Sequence, residues 1–335
     1  MTAARGLRGV QAWLARQPEE AALEIVCAEH PGPSLGDRRR TVVRLEGCAA
    51  QVAPHEVVEL LVLGAADVVL RLDGCADTGT ARAHLAPLVD LLEASGVRRV
   101  RLVDGDAPEA PGPRARGLRR RRAVLDAAHM PVSRRQVLGL GDGVTRELPD
   151  EEVRPHRRLV AALAALTGEG SSGVAGPTEG LAGPTEGRAG PTEGRAGLPA
   201  PSVRLTARGC TACGVCVRGC PADALHLRHS AAGGAAVTTL LQDRAACDGC
   251  LRCVELCPDD VLSAAGAWSW EQALREDATA PVVTLTTARC GRCGSRFPTP
   301  SGQRLCPVCA FRRANPFGSR VPARAYSSSR STARW

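Results

Sequence analysis

The sequence predicts an α/β N-terminal domain built on a parallel sheet, an α+β cysteine-rich domain, and a small C-terminal segment held by metal. Three observations lead to this division. Strand-like apolar runs alternate with amphipathic helical runs over residues 1–104, one cysteine pattern occurs twice within residues 202–265, and two further cysteine pairs fall within residues 266–314. Alternating strands and helices are typical of parallel sheets, because a crossover between parallel strands usually contains a helix.

Four strands and three helices are predicted in the N-terminal domain. Pro54 opens one helix, at a position where the missing N–H costs nothing, and Gly96 ends another. The predicted helices cover residues 6–16, 54–64 and 80–95, and the predicted strands cover residues 21–27, 41–46, 67–72 and 98–103.

Cysteines follow three of these strands. Cys27, Cys48 and Cys75 each lie at or just after a strand end, and His30 is close to Cys27. The carboxyl ends of parallel strands line the crevice where ligands bind in open α/β sheets. The sequence therefore predicts that these four residues gather at one edge as a metal site. The alternative is that the cysteines are small buried hydrophobic residues.

The middle of the chain connects the two halves. Residues 105–117 are a Pro/Gly linker, and residues 118–168 are predicted to be helical. Within that region, the arginine run at 119–122 is interpreted as a solvated helix face, and Ser133 as a helix cap. The apolar face of a helix at 151–167 would suit packing on the cysteine-rich domain. Residues 169–201 contain three G-P-T-E-G-x-A units, which predict a flexible tether because Gly and Pro exclude a coiled coil.

The cysteine-rich domain contains two matching runs. C-T-A-C-G-V-C-V-R-G-C-P extends from Cys210 to Pro221, and C-D-G-C-L-R-C-V-E-L-C-P from Cys247 to Pro258. Both follow C-x2-C-x2-C-x3-C-P, which is typical of [4Fe–4S] ligation. Zinc sites usually use C-x2-C pairs instead, and disulfide scaffolds need a secretory context. Gly214 and Gly249 suit loops whose backbone comes close to an inorganic sulfur.

These two runs resemble two-cluster bacterial-type ferredoxins over residues 210–258, with all eight cysteines and both prolines in place. The resemblance implies a ferredoxin-like fold, two [4Fe–4S] clusters, and a fourth ligand for each cluster taken from the other run. The implied ligands are Cys210, Cys213, Cys216 and Cys257 for cluster one, and Cys247, Cys250, Cys253 and Cys220 for cluster two.

A second resemblance concerns the N-terminal domain. V-V-R-L-E-G-C-A-A-Q-V-A-P at residues 42–54 and G-A-A-D-V-V-L-R-L-D-G-C at 64–75 resemble the delta subunit of methyl-viologen-reducing hydrogenases. That family carries a [2Fe–2S] cluster held by C-x2-C after the first strand and C-x4-C after the third. Here the second positions hold His30 and Thr80. This departure from the family's pattern leaves three thiolates and a histidine that could hold a cluster, since His can replace Cys on an iron.

The third cysteine constellation is C-x2-C-x12-C-x2-C, and it resembles a zinc ribbon. Two such pairs suit one tetrahedral ion, with zinc favoured over rubredoxin-type iron. The ion would stabilise a segment that has little core of its own. Its ligands would be Cys290, Cys293, Cys306 and Cys309. Residues 315–335 are rich in Ser and Arg and are predicted to be a disordered tail.

The composition of the chain indicates its cellular compartment and the classes of partner it can bind. The chain has fifteen cysteines, no lysine and a net charge of +8. Unpaired cysteines in this number favour a reducing cytoplasm, and neither a signal peptide nor a membrane span is predicted. No G-x-G-x-x-G or Walker loop indicates a nucleotide site.

The sequence therefore predicts a cytoplasmic iron–sulfur electron-transfer protein. It would relay single electrons as an accessory subunit of a hydrogenase-, dehydrogenase- or reductase-type complex, rather than act as an independent enzyme. Binding to nucleic acid is not expected, because aromatic residues for base stacking are scarce. The alternative is a redox-sensing regulatory protein whose clusters are the sensor and whose zinc ribbon contacts nucleic acid.

Overall fold

The computed structural model describes residues 6–32, 39–104, 123–132, 146–168, 202–232, 235–275, 279–299 and 302–316. The chain divides into two units, Met1–Pro201 and Ser202–Trp335. The predicted linker, arginine run, Ser133 cap and heptapeptide repeat, with residues 317–335 of the predicted tail, lie outside the described residues. In the described part of the chain, no helix is both long enough and apolar enough to span a membrane.

The first unit contains a five-stranded parallel sheet with the order β4-β3-β1-β2-β5. Its four predicted strands are confirmed, but the helical prediction for residues 118–168 is wrong at 124–126, where Val124 pairs with Val42 in a fifth strand. A strand of three residues is too short to show an alternating pattern. The strands are β1 Ala21–Val26, β2 Thr41–Arg44, β3 Ala65–Arg71, β4 Val100–Val103 and β5 Val124–Asp126.

The strand order reverses at the centre of this sheet. β1 leads to β2 on one side of it, whereas β3, which pairs with the other side of β1, leads outward to β4. The crevice at such a reversal, outside the carboxyl ends of the strands, is where open α/β sheets bind ligands. The strand order therefore indicates the loops after β1, β2 and β3 as the place for a ligand site.

Four α-helices lie in the described part of the first unit. They are α1 Arg8–Leu14, α2 Pro54–Val62, α3 Thr78–Ala94 and α4 Pro155–Gly168. The backbone N–H of Ala53 and that of Leu7 both donate to the carboxylate of Glu56, at 3.0 and 2.9 Å, which fixes the start of α2. The apolar face of α4 packs on α2 within the first unit, and the expected packing of this helix on the cysteine-rich domain stays a prediction.

The second unit begins with two strands that pair antiparallel, β6 Val203–Ala207 and β9 Leu262–Ala267. Between them lie two short helices, α5 Val215–Arg218 and α6 Arg252–Glu255, each of which carries the third cysteine of one run. The predicted hairpin between the runs is confirmed as β7 Leu225–Ala232 and β8 Ala235–Asp243.

The C-terminal segment continues the hairpin sheet. After α7 Trp270–Leu274, β10 Thr279–Arg289 pairs with β8 on one side and with β11 Arg296–Pro298 on the other. The sheet order is therefore β11-β10-β8-β7, and α8 Pro307–Ala314 follows it. These pairings join the predicted 202–265 and 266–314 segments through one sheet.

Candidate metal centres

The two cysteine runs follow the same backbone path. In each run, the residues two and four positions after the first cysteine have positive φ, as does the residue three positions after the last cysteine. The values are +53° at Ala212, +71° at Gly214 and +50° at Asp223 in the first run, and +75° at Gly249, +59° at Leu251 and +51° at Asp260 in the second. Left-handed backbone is costly for residues with a Cβ, so its repetition at three equivalent positions indicates a loop shape that the thiols require.

This loop shape gives a first testable prediction. We expect Gly214→Ala to destabilise the second unit by about 1–2 kcal/mol, because φ is +71° and a Cβ would lie 3.2 Å from Arg218 Nη1 and 3.3 Å from Leu227 Cδ1. The measurement is the thermal unfolding transition of the protein, compared with that of the wild type. Ala212→Gly is the matched control, since it places glycine at a neighbouring positive φ. It should leave the transition unchanged or raise it; equal losses in both variants would refute the backbone argument.

Four thiols from both runs line one cavity. Cys210, Cys213 and Cys216 come from the first run, and Cys257 comes from the end of the second. Leu227 and Leu240 of the hairpin complete the wall. The thiols thus face one space backed by an apolar layer, which suits a cofactor whose reactive core must be shielded from water. The buried members of that layer are Leu205, Ala207, Leu225, Leu240 and Leu262.

Electrostatic neighbours separate the eight thiols into two groups. Burial raises the pKa of Cys216 to about 11, with further contributions from Cys210, Cys213 and Cys257. Thiols in this environment ionise readily only when a cation compensates their charge.

In the second group, burial and neighbouring thiols also raise the pKa values of cysteines. Burial raises the pKa of Cys253 to about 12, with further contributions from Cys247, Cys220 and Cys216. Burial also raises the pKa of Cys250, and Cys220 contributes to that shift. The fourth cysteine of each run therefore lies near the thiols of the other run. Since Cys216 also neighbours Cys253, the two groups are adjacent.

This arrangement defines an iron–sulfur protein. Residues 209–262 match the family model of the 4Fe–4S dicluster domain, which covers both runs and the hairpin between them. No curated protein matches the chain. The chain thus contains a ferredoxin-type 4Fe–4S domain that occupies part of its length.

The four C-terminal cysteines form a compact group. Their Sγ atoms all lie within 4.8 Å of one another, and the Cys293 and Cys306 Sγ atoms are 3.7 Å apart. The backbone N–H of Cys306 donates to Cys290 Sγ at 3.3 Å. Backbone N–H groups of Cys293 and Cys306 lower the pKa of Cys290 to about 6, whereas burial raises that of Cys309. Four converging sulfurs with N–H donors suit a single metal ion.

The N-terminal group contains three of its four predicted members. Cys27, Cys48 and Cys75 have Sγ atoms within 4.8 Å of one another, and those of Cys48 and Cys75 are 3.3 Å apart. Burial raises the pKa of Cys75 to about 11. His30 does not belong to this group: its Nε2 lies 2.9 Å from Asp73 Oδ2, and its Nδ1 accepts from the Gly32 N–H at 3.2 Å.

A buried ionic network explains the position of His30. Arg71 of β3 donates to Glu24 of β1 at 3.0 Å and also to Asp73. Although burial opposes the shift, hydrogen bonds from Arg71 and His30 lower the pKa of Asp73. No sequence pattern indicates this network, because its members are ordinary charged residues on two strands that are neighbours only in the folded sheet.

An arginine-lined groove of about 660 Å³ in the second unit is a further feature that sequence patterns do not predict. Exposed Cys213 of the first run and exposed Cys293 of the C-terminal group both line it. Of the four arginines around it, Arg289 and Arg296 pair across β10 and β11, whereas Arg218 and Arg312 come from other parts of the chain, so no local pattern indicates all four.

Proposed function

We propose that this protein relays single electrons through two [4Fe–4S] clusters. The observation that carries the proposal is the cavity that Cys210, Cys213 and Cys216 share with Cys257 of the other run. In the same way, Cys220 of the first run packs with Cys247 of the second against one buried cluster. When bound, [4Fe–4S] clusters supply one-electron redox chemistry. The protein holds the thiols, packs an apolar layer of leucines behind them, and keeps the two groups next to each other.

The arginine-lined groove supports an acidic redox partner, as expected for an accessory subunit of a hydrogenase- or reductase-type complex. Cys213 is exposed in the groove, so a partner seated there can approach the thiol group that contains it. Four arginines concentrate positive potential at this opening, and such a potential attracts an acidic surface or an anionic oxidant. We further propose zinc for the compact Cys290 group, because two C-x2-C pairs are typical of structural zinc.

The first experiment is metal and sulfide analysis after anaerobic purification, followed by EPR after reduction with dithionite. We expect about eight irons and eight sulfides per chain for two cubanes, with a coupled reduced signal, and a separate zinc content. A sample that contains zinc without sulfide would exclude electron transfer. If the clusters stay in one oxidation state at all accessible potentials, they have a structural role and do not transfer electrons.

The groove gives a second, kinetic prediction. We expect Arg218→Glu with Arg296→Glu to slow oxidation of the reduced protein by ferricyanide about tenfold at low salt, because an anionic oxidant is attracted to positive charge. Oxidation by a cationic ruthenium hexaammine complex should be unchanged or faster. Arg157→Glu, at an exposed position of α4 in the first unit, is the control. It makes the same charge change as one groove substitution, but outside the groove. If the control slows ferricyanide as much as either single groove variant does, net charge accounts for the effect and the groove does not.

A further inference from the structure

The N-terminal cysteines stand at the reversal of strand order in the parallel sheet. Cys27 directly follows β1, Cys48 follows β2, and Cys75 follows β3. β1 and β3 pair with each other, but the chain leaves them in opposite directions, from β1 to β2 on one side and from β3 to β4 on the other. The three thiols therefore converge in the crevice where a fold of this kind binds its ligands.

These residues do not fit a [2Fe–2S] cluster. Such a cluster takes four protein ligands, two on each iron. Among the residues that the structure describes, this group contains three thiols and no fourth His, Cys, Asp or Glu donor. Both ring nitrogens of His30 have other partners, and Thr80, which stands at the other expected position, is exposed on α3. Three sulfurs within 4.8 Å of one another also match one ion better than two.

We infer that Cys27, Cys48 and Cys75 bind a single zinc ion through three thiolates, with the fourth coordination position open to an exogenous ligand. Zn–S bonds of about 2.3 Å in a tetrahedron place sulfurs about 3.8 Å apart. The Cys48–Cys75 Sγ separation is 3.3 Å and no Sγ separation in the group exceeds 4.8 Å, so the three sulfurs are close enough to share one ion of this size. Three protein ligands and one open position are typical of zinc sites that bind or activate a small molecule.

The surrounding backbone suits thiolates bound to a cation. The N–H of Ala50 donates to Cys48 Sγ at 3.4 Å, and the N–H of Asp77 donates to Cys75. Such donors stabilise the anionic sulfur that zinc requires. Cys27 and Cys75 are buried, whereas Cys48 is half-buried. The open position therefore lies on the side of Cys48, where water or a small thiol can reach the ion.

The test is zinc, copper, iron and sulfide analysis of the full-length protein and its Cys48→Ser variant, both purified anaerobically. We expect the variant to contain about one zinc fewer per chain with iron and sulfide unchanged, since three ligands become two. The unchanged iron makes this result independent of the proposed electron relay. Cobalt loading adds an optical check. In the cobalt-loaded Cys48→Ser variant, the visible absorbance of tetrahedral thiolate-bound Co²⁺ should be lower than in the wild type by the contribution of one site.

Two further variants make each outcome decisive. His30→Gln preserves a donor to Asp73 and should retain the zinc. Cys293→Ser should remove a different ion, so that its effect adds to that of Cys48→Ser. Loss of two irons and their sulfide in Cys48→Ser would instead establish a [2Fe–2S] cluster and overturn the inference. It would also be overturned by loss of copper in place of zinc, by unchanged metal content, or by loss of zinc in His30→Gln.

Discussion

Replacing Cys257 by serine is expected to remove the cluster held mainly by the other cysteine run. Cys257 belongs to the second run in sequence, but it lines the cavity of Cys210, Cys213 and Cys216. Its loss should therefore lower iron and sulfide by about half, from about eight to about four per chain, while the cluster of the second run remains. Metal analysis and EPR of the reduced protein measure this change.

Double variants decide whether the ligands cross between the runs. If they cross, Cys257→Ser combined with Cys213→Ser damages one cluster twice and should retain about four irons. Cys257→Ser combined with Cys250→Ser should damage both clusters and leave almost none. The reverse pattern would show that each run supplies all four of its own ligands. The two double variants are matched, because Cys213 and Cys250 are the equivalent exposed cysteines of the two runs.

Replacing Arg158 by leucine is expected to destabilise the first unit by about 3–5 kcal/mol. Arg158 of α4 donates through Nε and Nη2 to the carboxylate of Glu59 on α2, at 2.8 and 2.7 Å. The Glu59 side chain is only 3% exposed, and its other partner is the amide of Gln11. The substitution therefore leaves a buried carboxylate without its cation, which costs far more than the loss of a surface ion pair.

Hydrogen exchange of α2 and α4 measures this loss within the first unit. Arg157→Leu, on an exposed position of the same helix, should change the free energy of unfolding by no more than about 0.5 kcal/mol. Adding Glu59→Gln to Arg158→Leu should recover part of the stability, because a neutral amide tolerates burial better than a carboxylate. Equal effects of the two leucine variants, or no recovery in the double variant, would contradict the buried-pair explanation.

Local patterns made much of this fold predictable. Helices and strands of the N-terminal domain matched the periodicity of their sequences, and the prolines and glycines at their ends indicated the boundaries. The short strand Val124–Asp126 was the exception, since its identity depends on pairing with β2 rather than on any pattern of its own. The packing of α4 on α2 was not predicted, because an apolar face shows that a helix is packed but does not specify its neighbour.

The chemistry that lies within single loops follows from the amino-acid sequence alone. The spacing C-x2-C-x2-C brings three thiols together over a few residues, so the cysteine spacing is sufficient to predict the iron–sulfur character of residues 209–262. Which distant side chains meet depends instead on the folded chain. Folding brings Cys48 Sγ to 3.3 Å from Cys75 Sγ, pairs His30 with Asp73, and places Arg218 and Arg312 around one groove. These contacts depend on strand order and packing between residues far apart in the chain, which no local spacing encodes.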